Sequence, residues 1–222
     1  MTQQPEAGAP VIGVVLAAGA GRRMGGPKAL LRHPIGDADP SAEGQPWVVR
    51  AARALLDGGC ARVLIVLGAE APAVISVAEQ AFPDDARLRW VVAADWAEGM
   101  GASLRAGLAA VAEHHPLAEA ALIALVDTPG MSAAVVQRLL ARAVGTGSPA
   151  PGVLARAAYT GRPGHPVLIG REHWDGVRRA ARADAGARGY LAIHRAEVVL
   201  VECGDLGDGR DLDHPSDLPV QP

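Results

Sequence analysis

The stretch Val11-Ile-Gly-Val-Val-Leu-Ala-Ala-Gly-Ala-Gly-Arg-Arg-Met-Gly-Gly-Pro-Lys28 decides how the rest of the chain is read. Val11 to Leu16 is a short apolar run of the kind that forms a central strand covered on both faces. The glycines after it then lie at the carboxyl edge of the sheet, where open α/β sheets bind ligands. Gly19 and Gly21 allow positive φ and close approach of a ligand to the backbone, and their N–H groups can cradle an anion. Arg22, Arg23 and Lys28 add positive charge. Lys28 is the one lysine among 21 basic residues, which marks a place for a compact ammonium instead of a planar guanidinium. Together these features describe a polyphosphate site; the alternative is a flexible connection with solvated arginines. The dinucleotide fingerprint G-x-G-x-x-G fails at Met24, and a P-loop fails because Lys28 stands between Pro27 and Ala29.

Outward from this loop, short β-rich runs alternate with helical patterns. Strands are expected at Val11 to Leu16, Arg62 to Leu67, Leu88 to Val92 and Ala120 to Val126, with helices at Trp47 to Leu56, Ala73 to Ala81, Ala102 to Ala112 and Ala133 to Val144. Four βα units imply a mostly parallel sheet between helical layers. Beyond the Gly145 to Pro151 linker the pattern changes. Val153 to Ala158 and Pro166 to Ile169 read as a hairpin about a Gly-Arg-Pro-Gly turn, followed by helical stretches at Glu172 to Arg182 and Ala185 to Ile193 and a strand at Glu197 to Glu202. The polar stretch His33 to Gln45 reads as a mobile loop. With 222 residues, half of them apolar, the chain fits one domain, with a nucleotide-binding half at 11–145 and an acceptor-binding half at 150–218. A net charge of -3 offers no broad basic surface for nucleic acid. Cys60 and Cys203 lack disulfide or zinc spacing. No signal peptide or membrane-length apolar run is present, so a cytoplasmic protein is expected.

The pattern Val15-Leu-Ala-Ala-Gly-x-Gly-x-Arg-Met-Gly running to Lys28 and Leu31 resembles the signature of the MobA-like nucleotidyltransferases, and within them the molybdenum cofactor cytidylyltransferase branch. Asp95 to Gly107 resembles the family's nucleotide-contacting segment, and Val126-Asp-Thr-Pro129 its Asp-x-Pro metal motif. Gly164-His-Pro-Val167 and Asp184-Ala-Gly-Ala-Arg188 resemble two segments of the cytidylyltransferase branch. Asp211 to Leu218 resembles the closing run, with His214 where threonine is usual. The resemblance implies a Rossmann-like three-layer sandwich of the nucleotide-diphospho-sugar transferase type. It also implies a Mg²⁺-dependent transfer of a nucleoside monophosphate to a phosphorylated acceptor such as molybdopterin. Relatives with this loop are also assigned to nicotine blue reduction, so an NAD(P)H-dependent reductase is a second reading and a nucleotide sensor a third.

Nucleotidyl transfer relies on positioning and charge neutralisation, and an acceptor phosphate is already a nucleophile at neutral pH. Lys28 with Arg22 or Arg23 would offset charge on the α-phosphate and the leaving pyrophosphate. Asp127, after an apolar strand, suits either Mg²⁺ or the cap of a helix near Ser132, and the resemblance selects the metal. A second metal carboxylate is expected among Asp205, Asp208, Asp211, Asp213 and Asp217, with Asp211 chosen. Leu16, Ala17, Ala18, Gly19, Gly21, Gly99, Met100 and Ser103 are the candidate nucleotide-binding residues. By resemblance, Ala17-Ala18, in place of the pattern in guanine-using relatives, favours CTP over GTP. Gly164, His165, Asp184 and Arg188 are candidates for the acceptor, although His165 between Gly164 and Pro166 also suits a purely structural role.

Overall fold

The computed structural model describes residues 10–32, 44–144 and 151–218. Residues 33–43 of the polar stretch, and most of the expected linker, lie outside them. Seven strands form one sheet: β1 Val11–Leu16, β2 Arg62–Leu67, β3 Leu88–Val92, β4 Ala120–Leu125, β5 Leu154–Tyr159, β6 Arg162–Gly170 and β7 Val199–Glu202. Their order across the sheet is β3-β2-β1-β4-β6-β5-β7. The pairs β1·β2, β2·β3, β1·β4 and β5·β7 are parallel, while β6 runs antiparallel to both β4 and β5.

The helices are α1 Trp47–Asp57, α2 Ala71–Ala81, α3 Met100–His114, α4 Ala133–Val144, α5 Trp174–Ala180 and α6 Arg188–Ile193. Strand side chains alternate between faces, and this alternation divides the core in two. Val15, Ile65, Leu122 and Leu168 pack with α1, α2 and α4 on one face. Val14, Val66, Ile123 and Val167 pack with α3, α5 and α6 on the other. The result is a three-layer α/β sandwich. Every residue of β1 and β4 is buried, as an unbroken apolar strand between two helical layers requires.

The second half departs from expectation in its boundaries. The hairpin turns at Thr160 and Gly161 instead of Gly161 to Gly164, so β6 begins at Arg162 and is longer than its apolar core suggested. Pro163, expected in the turn, lies within β6 together with Pro166, and a register shift between Arg156 and Ala158 accommodates the pairing there. The helical stretch from Glu172 contracts to α5 after a 3₁₀ turn at Arg171–His173, and α6 begins only at Arg188.

The chain leaves β1 toward β2 and β3 on one side and returns with β4 on the other. Loops after β1 and β4 therefore separate above the sheet and open a crevice at its carboxyl edge. Leu122, fully buried between the layers in β4, is a direct probe of this core. Leu122→Ala is expected to lower stability by about 2–5 kcal/mol, read from the midpoint of urea unfolding.

Candidate functional site

A cleft of about 390 Å³ occupies the crevice between β1 and β4. The loop after β1 forms one wall. Gly21 has φ 57°, and a Cβ there would fall 1.9 Å from the Gly26 carbonyl oxygen, so glycine is required. The Gly21 carbonyl accepts the N–H groups of Met24 and Gly26, which folds Arg22–Met24 into a 3₁₀ turn. The strand-end scaffold is equally fixed: Ala17 N–H donates to the Val66 carbonyl, Val126 N–H to the Leu16 carbonyl, and Ala69 N–H to the Ala18 carbonyl. Leu16, Ala18, Gly19, Gly21, Arg22, Arg23 and Lys28 all line the cleft. Ala17 is buried behind them.

The second turn of this loop, Lys28–Leu30, aims the Lys28 ammonium across the cleft. Lys28 Nζ donates to Asp127 Oδ2 at 2.8 Å and to Asp213 Oδ1 at 2.6 Å. Lys28 and Asp127 side chains are only 15% and 20% exposed, so the pair is partly shielded from water. Burial works against the ammonium, but the hydrogen bonds and charges of Asp127 and Asp213 outweigh it and raise the Lys28 pKa. The Lys28 hydrogen bond in turn lowers the Asp213 pKa. Asp127 is not the cap of the following helix: Val135 N–H reaches Ser132 Oγ, and buried Thr128 donates to the Leu125 carbonyl. That leaves the Asp127 carboxylate for the cleft.

The five aspartates of the C-terminal loop divide by partner. Asp205 pairs with Arg138, Asp208 with Arg210, and Asp217 accepts the backbone N–H groups of Asp213 and His214. Asp213, which the sequence did not single out, thereby faces Lys28. A bond from Leu212 N–H to the Asp127 carbonyl clamps this loop to the end of β4. Asp211 projects to the inner side. Although much of the residue is open to solvent, partial burial of its carboxyl and the charges of Asp127 and Asp213 push its pKa up to about 6.

The opposite wall comes from the start of α3. Gly99 has φ 113°, and a Cβ there would sit 2.5 Å from Asp184 Oδ1, so glycine lets the 183–185 turn pack onto the helix start. Gly99, Met100, Ser103, Asp184 and Trp96 line the cleft. Trp96 was not anticipated; its ring is pressed against Gly68 after β2. The four candidate acceptor residues do not form one cluster. Asp184 belongs to the main cleft, whereas His165 and Arg188 line a narrower cavity of about 130 Å³ behind Met100, together with Arg156 and Asp211. Gly164 supports that cavity by accepting two hydrogen bonds from Arg156 through its carbonyl.

The chain matches the MobA-like NTP transferase domain over residues 13–198, and it belongs to that family. It is 40% identical over 205 residues to the nicotine blue oxidoreductase of Paenarthrobacter nicotinovorans, covering 91% of this chain and 92% of the relative. Among solved structures it is similar to Rv0371c from Mycobacterium tuberculosis H37Rv, with a TM-score of 0.68, 27% identity, and 95% and 96% of the two chains covered. It also aligns with Rv0371c in complex with manganese, with a TM-score of 0.66, 26% identity, and 94% and 95% covered. The fold is of the nucleotide-diphospho-sugar transferase type, and family and fold are those of nucleotidyltransferases. No helix among the described residues is long and apolar enough to cross a membrane.

His165 supplies a pH test of the inner cavity. Burial, followed by the charges of Arg156 and Arg188, lowers its pKa to about 4. The unfolded chain binds this proton near pH 6.5, so the stability gained from a neutral buried ring is present above that pH and lost as pH falls toward 4. The thermal midpoint of His165→Asn is therefore expected to fall less than that of the parent between about pH 6.5 and pH 4. Parallel melting curves in the two proteins would contradict the burial of the ring.

Proposed function

We propose that the protein is a Mg²⁺-dependent nucleotidyltransferase that moves CMP from CTP to a small phosphorylated acceptor, of which molybdopterin is the leading candidate, and releases pyrophosphate. The observation that carries this reading is the placement of Lys28 between Asp127 and Asp213, beside a glycine-rich anion cradle. The donor set suits a hard divalent cation. Asp127 and Asp213 each use one carboxylate oxygen on Lys28 and have the other uncommitted among the described residues. Asp127 with Asp213 or Asp211 would hold the metal, and the manganese complex of Rv0371c supports divalent-ion binding in a similar fold. When bound, the cation supplies charge neutralisation on the phosphate oxygens.

The chain's own residues would divide the remaining work. Backbone N–H groups of Gly19 and Gly21, with Arg22 or Arg23, cradle the triphosphate, while Lys28 faces the charge that builds on the α-phosphate and the departing pyrophosphate. Gly99, Met100 and Ser103 position the nucleoside on the opposite wall, with Ala17 and Ala18 behind the base. An acceptor phosphate oxygen attacks the α-phosphorus, the bond to the β-phosphate breaks, and no protein general base is needed. His165, Gly164, Asp184 and Arg188 receive the acceptor. The relative named nicotine blue oxidoreductase favours a second reading, in which the same cradle binds the pyrophosphate of NAD(P)H. The carboxylates around Lys28 argue for the first, because hydride transfer does not require them.

One assay separates the two. Incubation with CTP or GTP, Mg²⁺ and molybdopterin is expected to yield pyrophosphate, fastest with CTP, while NADPH absorbance with a dye acceptor stays constant. NADPH loss without pyrophosphate would reverse the assignment. Lys28→Ala is expected to lower turnover by about 10²–10³-fold while its circular dichroism remains that of the parent. Asp213→Asn should weaken Mg²⁺-supported turnover by about tenfold or more, whereas Asp205→Asn, which breaks only the exposed pair with Arg138, should leave turnover within about twofold.

A further inference from the structure

The 183–185 turn, which carries Asp184 into the main cleft, is not held by burial: Ala183, Asp184 and Ala185 are all exposed. Ala183 also has φ 41°, a left-handed conformation that residues other than glycine rarely adopt. Within the segment, Ala185 N–H donates to the Arg182 carbonyl, which closes the turn but anchors it to nothing else. Strained residues of this kind persist where the surrounding structure over-determines them, and they concentrate at binding sites.

Two features of α3 supply the hold. Gly101 lets the segment lie directly on the helix, since a Cβ there would fall 2.9 Å from Arg182 N and 3.0 Å from the Ala183 carbonyl oxygen. One helical turn further on, Arg105 Nη1 donates to the Ala181 carbonyl at 3.0 Å, 76 residues away, and Arg105 Nη2 donates to Glu98 Oε2 at 2.8 Å. Ala181 is wholly buried, so its carbonyl depends on donors from the protein. Arg182 Nη1 also reaches that carbonyl, at 3.1 Å, but from within the same segment. Glu98 ends the 3₁₀ turn Trp96–Glu98, whose Trp96 lines the cleft. The planar guanidinium of Arg105 therefore spans two segments of one cleft wall. Arg105 itself lines the groove on the outer face of α3 instead of the main cleft, so any effect it has on a ligand passes through those segments.

We propose that Arg105 is a positioning residue: its bond to the Ala181 carbonyl holds the 183–185 turn against α3 and so keeps Asp184 in the cleft for the second substrate. This inference rests on the two-substrate reading of the main cleft. The arm to Glu98 contributes less, because the Glu98 side chain is 61% exposed and screened by water, whereas that of Arg105 is 29% exposed. Without the Arg105 donors, the strain at Ala183 is relieved by movement of the turn away from Gly99 and Gly101. Glycine at position 183 adopts positive φ freely and removes that tendency.

Two measurements on the full chain test this. In Arg105→Met, amide hydrogen exchange read by mass spectrometry is expected to quicken by about tenfold in residues 181–187 and to stay within about twofold in β1 and β4. With CTP, Mg²⁺ and molybdopterin, the same variant should raise KM for molybdopterin by about tenfold and leave KM for CTP within about threefold. Glu98→Gln should leave both measurements within about twofold of the parent. Ala183→Gly added to Arg105→Met should return KM for molybdopterin to within about threefold of the parent. Should Arg105→Met not fold, Arg105→Lys, which keeps the charge but not the planar fork, is read in the same way. Unchanged exchange in residues 181–187, or equal rises in both KM values that Ala183→Gly does not reverse, overturns the positioning role. If the parent releases no pyrophosphate, the transfer reading fails, and the exchange measurement still upholds or overturns the hold of Arg105 on the turn.

Discussion

Parallel pairing of β1 with β4 is the constraint from which the site follows. Their register sets Leu16 opposite Leu125, so the glycine-rich loop and the Asp127 turn leave the sheet at the same height. Because the chain runs outward from β1 through β2 and β3 and returns on the other side at β4, the two loops leave neighbouring strands and face each other across the crevice, where Lys28 meets Asp127. Both strands are wholly buried, and the hydrophobic core thus fixes the spacing of the charged groups at the edge.

Charge then ties together segments that the sheet only brings near. Lys28 joins the first loop to the end of β4 and to the C-terminal loop, 99 and 185 residues away. An ammonium suits this place because it donates in several directions from one point, whereas a guanidinium presents a planar fork. Asp213 reaches Lys28 because Asp217 holds its backbone and Leu212 is bonded to the Asp127 carbonyl. The clustering of aspartates is consequently a division of labour between arginine pairs, a turn cap and the cleft.

The antiparallel insertion of β6 between β4 and β5 adds a second compartment to the parallel half. It carries His165 and Val167 to the inner cavity, while β5 brings Arg156 and α6 brings Arg188. Met100, at the start of α3, lines both spaces, so the main cleft and the inner cavity share a wall. A bound nucleotide and a bound second molecule would meet there.

The parallel half was legible in the sequence because its signals are local. Continuous apolar strands, alanine-rich helices and a glycine loop with one lysine placed β1 to β4 and the cleft within a residue or two. The second half was less legible because prolines in β6 and short helices obscure periodicity, and pairing across a register shift is a tertiary decision. The sequence named Lys28 and Asp127 and chose Asp211 among five similar aspartates, although nothing local in that short acidic loop marks Asp213 as the one that faces Lys28. Only folding distinguishes them, since Arg138, Arg210 and two backbone N–H groups claim Asp205, Asp208 and Asp217 from distant or local positions. The same holds for Arg156: one arginine in a chain rich in them is silent until folding turns it onto the Gly164 carbonyl. Composition and periodicity determine the layers; the geometry of charge is decided by which surfaces the tertiary structure brings into contact.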